Sequence, residues 1–114
     1  MIDQRRHKRV TIKSVAEVES EGQRFKAYVG GISWGGLEIY APQPIRQNSR
    51  LTMTLAFLDK DGKTQEEPVQ GVVRWSAMFE SSYLSGIQFD SLVDAGLNPA
   101  LAAYIENAEK HISG

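Results

Sequence analysis

The chain has 114 residues, a net charge of −1, 41% hydrophobic and 24% charged residues, and no cysteine. This composition suits one globular domain with one core rather than a disordered polypeptide, and it leaves no disulfide framework and no thiolate metal site. No apolar run approaches the roughly 20 residues that span a bilayer, and the basic N-terminus leads into alternating residues rather than the apolar stretch of a signal peptide. A cytoplasmic protein with no membrane contact is expected.

The charge is unevenly placed. Residues 1–13 hold Arg5, Arg6, Lys8, Arg9 and Lys13 against Asp3, a local excess of +4 that leaves −5 on the remainder. A chain that coats nucleic acid carries basic residues over a whole face. A short basic segment on an acidic body suits a small anionic partner, or it is a solvated, flexible tail.

Residues 10–19 alternate with Val10, Ile12, Ala16 and Val18 on one face, the period of a strand. Residues 20–23 form a turn around Gly22, and 24–32 alternate again through Phe25, Ala27 and Val29. A glycine-rich break at Ser33, Trp34, Gly35 and Gly36 precedes a short strand around Leu37 and Ile39. Pro42 and Pro44, which cannot donate to a sheet ladder, hold the next loop open. Residues 51–57 are apolar at every second position, and Asp59, Lys60, Asp61 and Gly62 supply a hairpin turn. Residues 69–75 and 84–89 are two more strands, joined by a polar loop. Six short strands separated by turn signals predict a mainly β fold, a small six-stranded antiparallel barrel.

The period then changes. Asn98 is placed to be an N-cap, with Pro99 at the first helical position, and Leu101, Tyr104, Ile105, Ala108 and Ile112 recur at helical spacing. A single domain over 1–114 follows: a flexible arginine-rich tail over 1–9, a barrel over 10–90 and one C-terminal helix over 98–112, its apolar stripe covering an open end or face of the barrel. A monomer is expected.

Several patterns resemble chemistry without supplying its parts. Gly31, Ser33 and Gly35 have the spacing of a nucleophile elbow, but that turn must lead from a strand into a helix, and the residues after Gly36 read as a strand. His7 and His111 are the only histidines, and neither is an evident base or a metal site. No lysine follows the glycines, as a phosphate loop requires. Asp59, Asp61 and Gly62 lack the further ligands of a calcium loop. No catalytic set, no metal and no resident cofactor is therefore expected. Of the two tryptophans, Trp75 reads as core, whereas Trp34, in a glycine-rich turn, is partly exposed.

Two features combine. Arg5 and Arg9 lie four apart just before the first strand, with Arg6, His7 and Lys8 between them. Gly31, Ile32, Ser33, Trp34, Gly35 and Gly36 lie between two early strands. In this order they resemble the PilZ domain family, which carries an R-x-x-x-R motif before its first strand and a D/N-x-S-x-x-G motif between two early strands. The first motif is complete. The second matches at Ser33 and Gly36 and departs at Gly31, where the family has Asp or Asn. Residues 69–75 and 86–89 also resemble later barrel strands of the family, and a closing helix is common in it.

The resemblance implies a receptor domain for the bacterial second messenger cyclic di-GMP, which passes its signal to an effector protein by ordering the tail. A guanidinium can grip guanine O6 and N7 with two hydrogen bonds, fork onto a phosphate or stack on a base. Arg5 and Arg9 are implied in these roles with Arg6 assisting. Ser33 would offer its hydroxyl or backbone to a phosphate or to the tail. Gly36 would keep the surface bare for a guanine, and Trp75 would flank the pocket. Glycine at 31 removes one side-chain hydrogen bond, a loss of roughly 0.5–1.5 kcal/mol and up to about 3 with a charged partner, so weakened rather than abolished binding is expected. The alternative is a degenerate PilZ-fold interaction module that does not bind cyclic di-GMP. Nucleic-acid binding would need aromatics spread beside basic residues on one face, and the acidic body opposes it.

Overall fold

The computed structural model describes residues 9–112, with side chains over 9–110. Among these are six strands and one helix: β1 (Ser14–Ser20), β2 (Gln23–Ile32), β3 (Gly36–Ala41), β4 (Arg50–Leu58), β5 (Thr64–Phe79), β6 (Ser82–Phe89) and α1 (Pro99–Ile112). The strands close into a barrel in the order β1-β2-β3-β6-β5-β4, with every neighbouring pair antiparallel.

Alternation drives this closure. Leu51, Met53, Leu55 and Phe57 of β4 point inward and are buried, while Thr52 and Thr54 between them face out. Ala16 and Val18 of β1, Leu37 and Ile39 of β3, and Val73 of β5 fill the same interior. Two bulges bend the wall, one in the β2–β3 ladder between Val29 and Gly31 and one in the β5–β6 ladder between Val73 and Trp75. An extra residue on one strand raises local twist and curvature, which a six-stranded wall needs in order to close.

The strand boundaries correct the sequence reading in two places. Val10 and Ile12 are buried as expected, yet β1 begins only at Ser14. Val10 pairs through an isolated bridge with Ile32, while Val15 pairs with Tyr28. Continuing the β1–β2 ladder would set Val10 opposite Ser33, so the bridge is one residue out of register and the strand cannot run through it. The polar loop expected after Trp75 is instead a continuation of β5 to Phe79, which pairs with Ser82. Only Glu80 and Ser81 turn the chain, with Glu80 at φ 55°. No glycine or asparagine marks that turn, so composition hid it.

The Asp59 turn is a hairpin, as read. Asp59 Oδ1 accepts the backbone N–H of Asp61 and of Lys63, both at 2.9 Å, and Oδ2 accepts the Gln65 side-chain amide at 2.8 Å. These donors, the Lys63 amide first and Gln65 next, hold the Asp59 carboxyl below its ordinary 3.8. A depressed folded pKa stabilises the fold fully above the unfolded value, and that contribution is lost as pH falls through the folded one. Asp59→Asn is therefore expected to flatten the fall in urea midpoint below about pH 4. An unchanged acid limb in the variant would refute this.

The helix cap is as expected in its backbone and different in its side chain. The Asn98 carbonyl accepts the Ala102 N–H at 2.9 Å, so Asn98 does occupy the cap position. Its side chain, however, donates to the Pro68 carbonyl at 2.9 Å. The free N–H groups of the first turn go to Glu67 of β5, whose carboxylate accepts Ala100 N–H at 2.8 Å and Leu101 N–H at 2.9 Å. An anion at the positive end of a helix is favourable, and this one ties the helix to the barrel wall. Glu67→Ala leaves two of these donors unpaired at a buried joint, so a loss of about 2 kcal/mol and of roughly 10 °C in Tm is expected. A Tm within about 2 °C of wild type would contradict the capping role.

Leu101, Ala102 and Ile105 of α1 are buried, with Tyr104 and Ala108 packed against the core. Tyr104 meets Phe57 edge-on at 5.9 Å and donates its hydroxyl to the Thr11 carbonyl at 2.9 Å. Phe57, Thr11 and Glu67 all belong to the barrel end at which β4 finishes and β1 and β5 begin, so the helix covers an end rather than a face. Among the described residues no helix is long and apolar enough to cross a membrane.

Candidate functional site

The antiparallel alternation brings the start of β3 and the end of β2 to the same end of the barrel. The Val10–Ile32 bridge, with N···O distances of 2.8 and 3.0 Å, then lays Arg9 beside the segment 31–36. A Cβ built on Gly31 would lie 3.9 Å from Cβ and Cδ of Arg9. The aliphatic stem of Arg9 thus covers Gly31, and its guanidinium forms an ion pair through Nη1 with Glu38. Glu38 is the register partner of Gly31 across β2 and β3.

The row continues. Glu38 pairs with Gly86 on β6, and Gly86 pairs with Trp75 on β5. A Cβ on Gly86 would come within 2.2 Å of Trp75 Nε1, so the indole lies flat over that glycine. Trp75 is 38% exposed on the outer surface, not core as the sequence suggested. The bulge beside it turns the side chain outward, and the bare Gly86 gives the ring a seat. Arg9 over Gly31, then Glu38, then Trp75 over Gly86 therefore form one outward row of guanidinium, carboxylate and aromatic plane. At 4.7–4.9 Å per strand the row spans about 14 Å. A β-bulge stands at each end of it, a frequent device for re-aiming side chains beside a site.

Ser33 and Gly36 hold the turn between β2 and β3. Ser33 is 6% exposed. Its backbone N–H donates to the Gly36 carbonyl at 2.8 Å, and its hydroxyl accepts the Gly35 N–H at 3.3 Å and donates to the Gly36 carbonyl at 3.4 Å. The hydroxyl is thus committed to the turn. A Cβ on Gly36 would sit 2.2 Å from the Ile87 carbonyl oxygen, so this glycine permits β3 and β6 to approach each other. Gly31 makes no such demand, since its nearest neighbour would be Val10 O at 3.6 Å. Trp34 is half-buried and donates its indole N–H to the Glu109 carboxylate at 3.2 Å. The segment after Gly36 is strand β3, so the nucleophile-elbow spacing has no helix to serve. Among the described residues no cluster of His, Asp or Glu could hold a metal ion.

Of the residues singled out from the sequence, Arg9, Gly31, Ser33 and Gly36 come together at this end, and Trp75 joins them through the register. Arg5 and Arg6 lie outside the described residues, as does all but residue 9 of the flexible tail expected over 1–9. Glu38 escaped the sequence reading. A carboxylate in a short strand carries no motif, and only strand pairing places it beside Arg9.

A second outward row is apolar. Val15 pairs with Tyr28, Tyr28 with Tyr40 and Tyr40 with Leu84 across β1, β2, β3 and β6. Tyr28 is 70% exposed, and Tyr40 packs against Phe79 at 5.9 Å.

A search of curated proteins finds no significant match to the sequence. Among the solved structures that share the fold are two bacterial proteins. The Bacillus subtilis inhibitor of motility (MotI/DgrA) superposes with a TM-score of 0.77 at 13% identity, over 97% of this chain and 52% of that one. MrkH of K. pneumonia in its apo state superposes with a TM-score of 0.69 at 18% identity, over 99% of this chain and 54% of that one. The chain thus spans about half the length of either neighbour. The PilZ domain model matches residues 3–107, which takes in both arginines, the 31–36 turn, all six strands and most of the helix. The chain belongs to the PilZ domain family, a family of cyclic di-GMP receptor domains.

Proposed function

We propose that this domain binds cyclic di-GMP at the barrel end that carries Arg9 and the 31–36 turn, and that it passes the signal to an effector protein. The observation that carries the reading is the Val10–Ile32 bridge, which sets the end of the arginine motif against the start of the second motif. Arg9, with Arg5 and Arg6 preceding it, supplies forked donors for guanine or phosphate. The Arg9–Glu38 pair engages Nη1, and a guanidinium has five N–H donors in all, more than one carboxylate can accept. Trp75 offers a plane for a base.

Trp34 of the second motif touches the helix through Glu109, and Thr11, two residues after the arginine motif, touches it through Tyr104. Ordering the tail over the ligand would shift these contacts, which supports α1 and the neighbouring surface as the output. The apolar row through Val15, Tyr28 and Tyr40 supports protein contact as the form of that output.

Calorimetric titration with cyclic di-GMP at moderate salt, run beside the Arg5→Ala/Arg9→Ala variant, tests the reading. Saturable heat in the wild type and none in the variant is the expected result, and it yields the stoichiometry. No heat in the wild type at high ligand concentration would favour the second reading, a ligand-blind interaction module. That reading draws on Gly31 and on the exposed apolar row.

A further inference from the structure

Gly31 removes the side chain with which the second motif would meet a guanine, yet the place beside it is not without a carboxylate. Glu38 stands opposite Gly31 in the β2–β3 ladder, is only 22% exposed and holds Arg9. We infer that Glu38 is the acid of this site: it supplies from β3 the carboxylate that position 31 lacks, and it reads the guanine edge.

The chemistry is specific to guanine. The Watson–Crick edge of guanine carries an N1–H donor beside its exocyclic N2 amine, and a carboxylate has two oxygens to accept both. Adenine offers a bare N1 acceptor in that place, which a carboxylate repels. Guanine O6 and N7 are acceptors and suit a guanidinium. Arg9 and Glu38, side by side and already paired, thus present the donor and acceptor sets that a guanine needs. Trp75, two strands further along the row, offers the stacking plane. The ion pair also orients Arg9 before the ligand arrives, which lowers the ordering cost of binding.

This inference rests on the proposed cyclic di-GMP reading, and the test separates the two. Glu38→Gln keeps size and removes the charge at a partly exposed position, so folding is expected to be unaffected, with Tm as the check. Titrations would use cyclic di-GMP and, as the discriminating probe, cyclic di-AMP. Glu38→Gln is expected to weaken cyclic di-GMP binding by about tenfold or more and to narrow the preference over cyclic di-AMP. A change that only loosened the strand would weaken both ligands alike. A Cβ on Gly31 would make only ordinary contacts, the nearest at 3.6 Å, so Gly31→Asp in the Glu38→Gln background is expected to recover both affinity and selectivity.

Wild-type binding together with equal or tighter binding by Glu38→Gln would overturn the role of Glu38 and leave the receptor reading intact, because Glu38 would then merely compete for Arg9. Failure of Gly31→Asp to rescue would overturn the substitution of one position for the other. Absence of wild-type binding would overturn both the receptor reading and this inference.

Discussion

Arg9→Ala is expected to weaken cyclic di-GMP binding by about thirtyfold or more while the fold persists. Truncating one partner of a charged, hydrogen-bonded pair that binding buries costs about 2–5 kcal/mol, and about 1.4 kcal/mol is tenfold. The fold is insulated from the change. The Arg9 side chain is 52% exposed, and an ion pair at the surface with one solvated partner contributes about 1 kcal/mol. Arg9→Lys keeps the charge and loses the fork, so it is expected to fall between the two, weakened by about tenfold if two-pronged contact with guanine or phosphate matters. Calorimetry on the three proteins, with Tm measured in parallel, checks this. Arg9→Ala binding within threefold of wild type would remove Arg9 from the site, and binding lost together with a large fall in Tm would mean that Arg9 is structural.

Gly36→Ala is expected to be the most destabilising of the small substitutions in the second motif. Its Cβ would meet the Ile87 carbonyl oxygen at 2.2 Å, with Ile87 C at 3.3 Å and Gln88 Cα at 3.4 Å. All three are backbone atoms of β6, so no rotamer change relieves the clash and the β3–β6 seam must open. Overpacking costs about 1–3 kcal/mol and occasionally more, and a contact this short between backbones belongs at the upper end. A loss of about 3 kcal/mol would lower Tm by more than about 10 °C. Gly31→Ala is the internal control, since its nearest contact is an ordinary 3.6 Å; its Tm is expected to stay within a few degrees of wild type. Equal effects at the two glycines would refute the steric account of Gly36.

That contrast also revises the role read for Gly36 from the motif. A bare surface for a guanine and a close strand approach both call for glycine, and sequence cannot separate them. The 2.2 Å distance supplies a demand that holds with or without a ligand. Ser33 is revised in the same direction. Its hydroxyl is buried and used by the turn, where it shapes the 33–36 segment.

The six strands and the helix were legible in the sequence because alternation and helical spacing are local signals, and burial enforces them within each segment. Leu51 to Phe57 could hardly read otherwise. The arginine and glycine motifs were legible too, as short patterns of residue type. Strand limits were less so: the break after Val10 arises from a one-residue offset against Ile32, and the continuation of β5 to Phe79 from pairing with β6, neither of which is written in composition. The helix cap by Glu67, 33 residues before Ala100, is equally non-local. So is the row that joins Arg9, Glu38 and Trp75. With Gly31 and Gly86 beneath them, its members come from five stretches of chain, and they meet only because the β2–β3, β3–β6 and β5–β6 ladders are in one particular register. A slip of a single residue would send every second side chain to the opposite face. Local pattern specifies the strand cores, their inward faces and the motif residues; closure of the barrel sets which of those residues share a surface, because register is a property of paired strands and not of any one of them.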